Sequence, residues 1–183
     1  MINEKEIFSK HKTSLKETSK DTSNNEVMTN SELEVINFDK VKKEYVRNLG
    51  MSTKLCSNDA LFMDNQGMFY FIEFKNGSFN FRDGILDNKE KYAIWLKIYD
   101  SFLIFSNITS YGTDFTCENL NYILVYNEGK NASRDFIAKK VSGMGNMNYK
   151  QFGLDRFEKL CFKEVFTYDK QEFEDKFVSK FVD

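Results

Sequence analysis

The sequence predicts an α/β (α+β) domain, a mixed central sheet flanked by helices, and three observations predict it. Strand-type and helix-type patterns alternate along the chain in the order helix, strands, helix, strand, helix, strand, helix. Two adjoining strand runs are apolar on both faces, as strands covered by helices on each side must be. The 183 residues are 41% hydrophobic with 19 Phe, enough to fill the core of one domain.

Each element has a local reason. Residues 9–31 hold only Leu15, Val27 and Met28 as large apolar side chains, too few to offset their ordering entropy. Residues 1–31 therefore read as a mobile polar tail containing His11, and residues 32–183 as a single folded domain. "NFDKVKKEYVRNLG" reads as a helix capped by Asn37 or Asp39, with Val41, Tyr45, Val46 and Leu49 on one face and Gly50 at its end. "LDNKEKYAIWLKIYDSFLIF" opens on Asp87 with Glu90 three residues on, a capping-box pattern, and is apolar nearly all round, which predicts burial. "NYILVYN" reads as a strand, "ASRDFIAKKV" as a short helix closed by "SGMGN", and "EKLCFKEVFTY" as a strand. "DKQEFEDKFVSKF" reads as a last helix, with Asp169 and Glu172 as a second capping box and Phe173, Phe177 and Val178 on its inner face. With no proline, the turns rest on Gly, Asn and Asp.

Composition narrows the function. A net charge of −2 and a pI near 5.6 give no global positive field for nucleic acid, so any such contact must be local. Cys56, Cys117 and Cys161 are isolated, which argues against a Cys/His zinc site and for a reducing compartment. No apolar run reaches a membrane span and "MINEKEIFSK" lacks a signal-peptide pattern, so a cytoplasmic protein without a membrane partner is expected.

The chemistry concentrates in "NDALFMDNQGMFYFIEFKNGSF". Asn65-Gln66-Gly67 fits a three-residue hairpin loop with the glycine in the left-handed conformation. That register pairs Met63 with Phe69, Leu61 with Phe71 and Asp59 with Glu73, whereas a two-residue loop would send Asp59 to the opposite face. Like charges facing each other on a sheet are destabilising, and a divalent cation would resolve the conflict. Lys75, on the same face as Glu73, could then hold water or a phosphate, a spacing that suits metal-assisted phosphodiester hydrolysis. The bland alternative is a strand-end ion pair. Lys139, Lys140 and Lys150, around "VSGMGNMNY" with Arg134 and Tyr149, read either as solvated loop charges or as a nucleic-acid-binding loop. With no histidine in the domain, a triad lacks its base.

Asp59 on one strand, a short hairpin and then "FIEFKNG" with Glu73-x-Lys75, set between two helices, resembles the PD-(D/E)xK nuclease superfamily over residues 37–127. Within it, the chain is similar to a group of small proteins from low-GC Gram-positive bacteria. Asn58 stands where the motif's proline would be. The resemblance implies a restriction-endonuclease-like core and cleavage of nucleic acid dependent on Mg²⁺ or Mn²⁺. Asp59 and Glu73 would be metal ligands and Lys75 would position the attacking water. By position alone, Glu44 would match an additional acidic residue on the first helix, and Lys91, or Lys89 or Tyr92 in its place, an additional basic or amide residue on the second. The rival expectation is a non-catalytic binding protein on that fold, an immunity-type protein occupying a toxin or an adaptor subunit in a complex. Its acidity would suit a basic partner.

Overall fold

A computed structural model of the chain describes residues 4–52, 54–82, 85–131 and 151–181. The chain opens with α1 (Glu4–Lys10), β1 (Lys12–Ser14), α2 (Leu15–Thr18) and the small strands β2 (Lys20–Asp21) and β3 (Glu26–Val27). It continues through β4 (Glu34–Asn37), α3 (Phe38–Asn48), β5 (Ala60–Met63), β6 (Phe69–Lys75), β7 (Phe81–Arg82) and β8 (Ile85–Leu86). Then come α4 (Asn88–Thr109), α5 (Thr113–Asn119), β9 (Leu120–Tyr126), β10 (Val165–Asp169) and α6 (Lys170–Lys176). Six strands form one mixed sheet in the order β1-β4-β5-β6-β9-β10. The first four are antiparallel in sequence, while β9 runs parallel to both β6 and β10.

The β5–β6 hairpin has the register its loop demands. Met63 pairs with Phe69, Leu61 with Phe71 and Ala60 with Ile72, and Gly67 takes φ +82° at the turn. Alternation then sorts the strands into two cores. Leu61, Phe69 and Phe71 join Val41, Tyr45, Ile94, Ile98 and Phe105 of α3 and α4 on one face. Ala60, Phe62 and Ile72 join Phe173, Phe177 and Val178 at the other. A sheet buried on both faces needs two-sided apolar strands, and β9 is buried at every position.

Local caps explain where the helices start. Asn37 Oδ1 accepts from the Lys40 amide at 3.0 Å, and Gly50, at φ +64°, follows the end of α3. Asp169 and Glu172 form the full capping box on α6. At α4, Asp87 accepts from the Lys89 amide, but Glu90 turns its carboxylate to Lys75 and Asn80. Of the strand expected over 158–168, only the last four residues are in the sheet, and β10 runs one residue further, to Asp169. Before them Phe157, Cys161 and Phe162 make a tight buried turn. The helix expected over 132–141 lies outside the described residues. No described helix is long and apolar enough to cross a membrane.

The largest departure is at the N-terminus. In place of a mobile tail, residues 4–31 are part of the domain. β1 pairs with β4 as an edge strand, Ile7 and Phe8 enter the α3–α4 core, and Leu15 and Met28 enter the opposite one. His11 is bound to Glu44 rather than solvated. A few deeply placed side chains suffice, because Leu15 is wholly buried. Leu15→Ala should therefore cost about 2–5 kcal/mol in chemical denaturation, as a core leucine does, where a tail residue would cost nothing measurable.

Candidate functional site

The site lies on the α4 side of the sheet, at the end of the hairpin away from its turn. Alternation that places Leu61 and Phe71 toward α3 and α4 places Asp59 and Glu73 on the same side one step further along. The Asp59 amide donates to the Ile72 carbonyl at 3.1 Å, which extends the ladder, and Asp59 Oδ2 accepts from the Phe74 amide at 2.7 Å. Glu73 is only 4% exposed, and Asp59 is half-buried.

The charge that reconciles them is Lys97 of α4. Its Nζ donates to Glu73 Oε1 at 2.5 Å and stands 3.9 Å from Asp59 Oδ1. Burial opposes the charge on Lys97, but the two carboxylates outweigh it and hold its pKa above the usual value. Burial, and then the charge of Asp59, push Glu73 up to about 8, with Lys97 opposing. Burial likewise raises Asp59 to about 6 against the pull of Lys97 and the Phe74 amide.

Glu73 Oε2 is buried without a hydrogen-bond partner, as are the Tyr122 hydroxyl and both amide atoms of Asn58. Tyr122 also feels the Glu73 and Asp59 charges after the larger effect of its own burial, and its pKa rises. Buried polar atoms are rarely left unpaired, and such clusters mark places where a ligand can complete the bonding. Two carboxylates with a free oxygen suit one Mg²⁺ that keeps water or phosphate in its other positions. Among the described residues, no group of three or more His, Cys, Asp or Glu side chains is placed to hold a metal.

Lys75 leans from the end of β6 onto Glu90 Oε2 at 2.9 Å, with its ammonium 5.7 Å from the Phe79 ring centre. α4 thus serves the hairpin along one face. Glu90 meets Lys75, Lys97 meets Glu73, Ser101 Oγ accepts from the Asn58 amide at 2.8 Å, and Asp100 accepts from the Cys56 amide at 2.8 Å.

The two residues expected on position alone sit elsewhere. The Glu44 carboxylate is engaged by Lys10 at 2.9 Å and His11 at 2.7 Å, docking the N-terminal segment. The α3 acid that acts on the pair is Asp39, in the first turn. Its Oδ1 accepts from Ser57 Oγ at 2.5 Å and from Lys42 at 2.7 Å, and those bonds outweigh burial to lower its pKa. Lys91 rests over the Trp95 ring, 4.9 Å from its centre. Lys97, which the sequence reading missed, is the lone cation in the apolar middle of α4. Its spacing of seven from Glu90 was the available signal. Lys139, Lys140 and Lys150 lie outside the described residues.

The raised Glu73 pKa has a stability consequence with a definite sign. The folded state holds this proton more tightly than the unfolded chain, where an ordinary glutamate ionises near 4.5. The domain should thus lose stability as pH rises from about 5 to about 8, in the window between those two values. Thermal melts should show a falling midpoint across that range, and Glu73→Gln should flatten it. An equally steep fall in the variant would assign the effect to other groups.

Set against known protein families, curated proteins and solved structures, the chain matches none.

Proposed function

We propose that the chain is a metal-dependent nuclease-like hydrolase that cleaves phosphodiester bonds of nucleic acid, with Asp59, Glu73 and Lys75 at its centre. One observation carries the reading. Two carboxylates on neighbouring strands share one face and one counter-cation, and Glu73 Oε2 is buried with no partner. A site built only for stability has little use for this arrangement, since buried like charges cost free energy that apolar residues would not.

Asp59 and Glu73 would hold Mg²⁺ or Mn²⁺, and the ion, when bound, would polarise a phosphoryl oxygen. The remaining roles fall to the chain. The Phe74 amide fixes Asp59 Oδ2 and Lys97 fixes Glu73 Oε1, so both carboxylates are oriented in advance. Lys75 is about one-third exposed at the strand end, and Glu90 holds its ammonium ready to turn to a phosphate oxygen or an attacking water. Lys97 offsets the excess negative charge that would otherwise repel a phosphodiester.

A second reading has its own observation. The Lys97 ammonium already bridges the pair, so the site can be electrically complete as it stands. With an acidic pI of about 5.6, that favours a non-catalytic binding protein for a basic partner, of the immunity or adaptor type.

Calorimetric titration of Mg²⁺ at neutral pH separates them. Under the nuclease reading wild type binds, Asp59→Asn and Glu73→Gln abolish binding, and Lys75→Ala keeps it. Cleavage of nucleic acid in Mg²⁺ then falls about 100-fold or more in all three, the scale of losing one such group. Folded wild type that neither takes up Mg²⁺ nor cleaves would move the assignment to the binding protein.

A further inference from the structure

The two faces of the sheet are roofed differently. The expectation that α4 is buried all round holds for its inner side only, since Tyr92, Leu96 and Leu103 are at least half-exposed. On the opposite face, α6 and the turn after it do not close fully on the strands, and a cleft of about 140 Å³ lies between them. Tyr70 of β6, Phe166 and Tyr168 of β10, and Phe177 and Phe181 beyond α6 wall it with rings. Tyr70 stands edge to face with Phe177 at 5.2 Å and with Phe181 at 6.1 Å, while Phe166 and Tyr168 stack at 5.6 Å.

The polar groups of the cleft are ordered by depth. Asn121 of β9, opposite Tyr70 in the ladder, is only 4% exposed, and its Oδ1 has no hydrogen-bond partner among the described residues. A buried amide oxygen left unpaired is costly, and an O–H or N–H group of a ligand can satisfy it. Exposed charged side chains stand at the mouth, and they divide by sign. The strand side contributes Glu164, and the helix side contributes Lys176 and Lys180. Lys176 is steadied by Glu172 at 2.9 Å, with its ammonium 5.5 Å from the Tyr168 ring centre. Burial, and then the charges of Glu172 and Glu164, push the Tyr168 hydroxyl up to about 12, so it stays neutral.

We propose that this cleft binds a free α-amino acid with a hydroxylated aromatic side chain, of the chemistry of L-tyrosine. Its volume selects the ring. A closed cavity of about 150 Å³ takes one benzene ring, so this cleft holds one six-membered ring and leaves the rest of the molecule at the mouth. The rings on its walls offer that ring edge-to-face contacts. A hydroxyl at the far end of the ring would donate to Asn121 Oδ1. At the mouth, opposite charges on the strand and helix sides suit a zwitterion, with its ammonium toward Glu164 and its carboxylate toward Lys176 and Lys180. A ligand carrying one charge alone would face a wall of its own sign. The cleft lies on the other face of the sheet from Asp59, Glu73 and Lys97, so the inference does not rest on the proposed hydrolase chemistry.

Titration of the full chain with L-tyrosine, followed by calorimetry in metal-free buffer, tests this. Wild type should bind it with submillimolar affinity. Tyramine lacks the carboxylate, desaminotyrosine the ammonium and phenylalanine the hydroxyl, and each should bind about tenfold or more weakly, the scale of one polar contact left unmade. Glu164→Gln and Lys180→Gln should each weaken L-tyrosine by about the same factor. Both positions are exposed, which keeps the test decisive if a change at buried Asn121 disturbs the fold. Asn121→Leu, where folded, should remove the preference for L-tyrosine over phenylalanine. Folded wild type that binds no L-tyrosine would overturn the proposal, as would binding that Glu164→Gln and Lys180→Gln both leave unchanged. Tyramine or desaminotyrosine binding as tightly as L-tyrosine would overturn it too, since the mouth would then read only one charge.

Discussion

The placement of one ammonium group between two carboxylates governs how the domain fits together. Asp59 and Glu73 face each other from neighbouring strands, and their mutual repulsion in a poorly hydrated setting would open the hairpin end without a cation. Lys97 supplies it from the overlying helix. Because a helix is rigid, fixing Lys97 also fixes the rotation and height of α4 on the sheet. The contacts of Glu90 two turns before it and Ser101 one turn after it are then in register with the strand beneath. The polar cluster thus does for specificity what the surrounding phenylalanines cannot. Apolar packing alone would tolerate a helix rotated or shifted by a residue, whereas a buried carboxylate will not tolerate a lost partner.

What the sequence disclosed follows from the range of the interactions. The hairpin register was legible because the turn that sets it is three residues long, and from the turn the Asp59–Glu73 pairing follows by counting. The caps at Asn37 and Asp169 were legible because the cap bonds span three residues. Lys97 was not. Its partner is 24 residues away on another element, and only the phase of α4 against β6 brings them together. The same reason explains the misplaced helix residues, where Asp39 and Lys97 do what position alone gave to Glu44 and Lys91. The N-terminal segment was misread because composition averages over a window. Ile7, Phe8, Leu15 and Met28 lie among polar residues, and each finds a core that the rest of the chain has made.

The site also shows how an apolar sheet tolerates chemistry at the ends of its central strands. Every residue of β9 is buried, and β6 stays apolar up to Ile72 before Glu73 interrupts it. That position borders the core without lying at its centre. There the low dielectric strengthens each electrostatic contact, while Asp59 keeps one side toward water. A carboxylate pair nearer the turn would face solvent and ionise without strain, and one nearer mid-strand could not be reached.

The wrapped N-terminal segment bears on the order in which the molecule assembles. Thr29 Oγ1 donates to Glu174 across 145 residues of sequence, joining the first part of the chain to its last helix. The β5–β6 hairpin closes over a handful of residues, so its search is short, while the Thr29–Glu174 contact must wait for the whole intervening chain. The opening segment thus docks by closing over far more chain than the hairpin does. A chain in which this segment is undocked would bare the outer edge of β4 and part of both cores, the condition in which strands mispair.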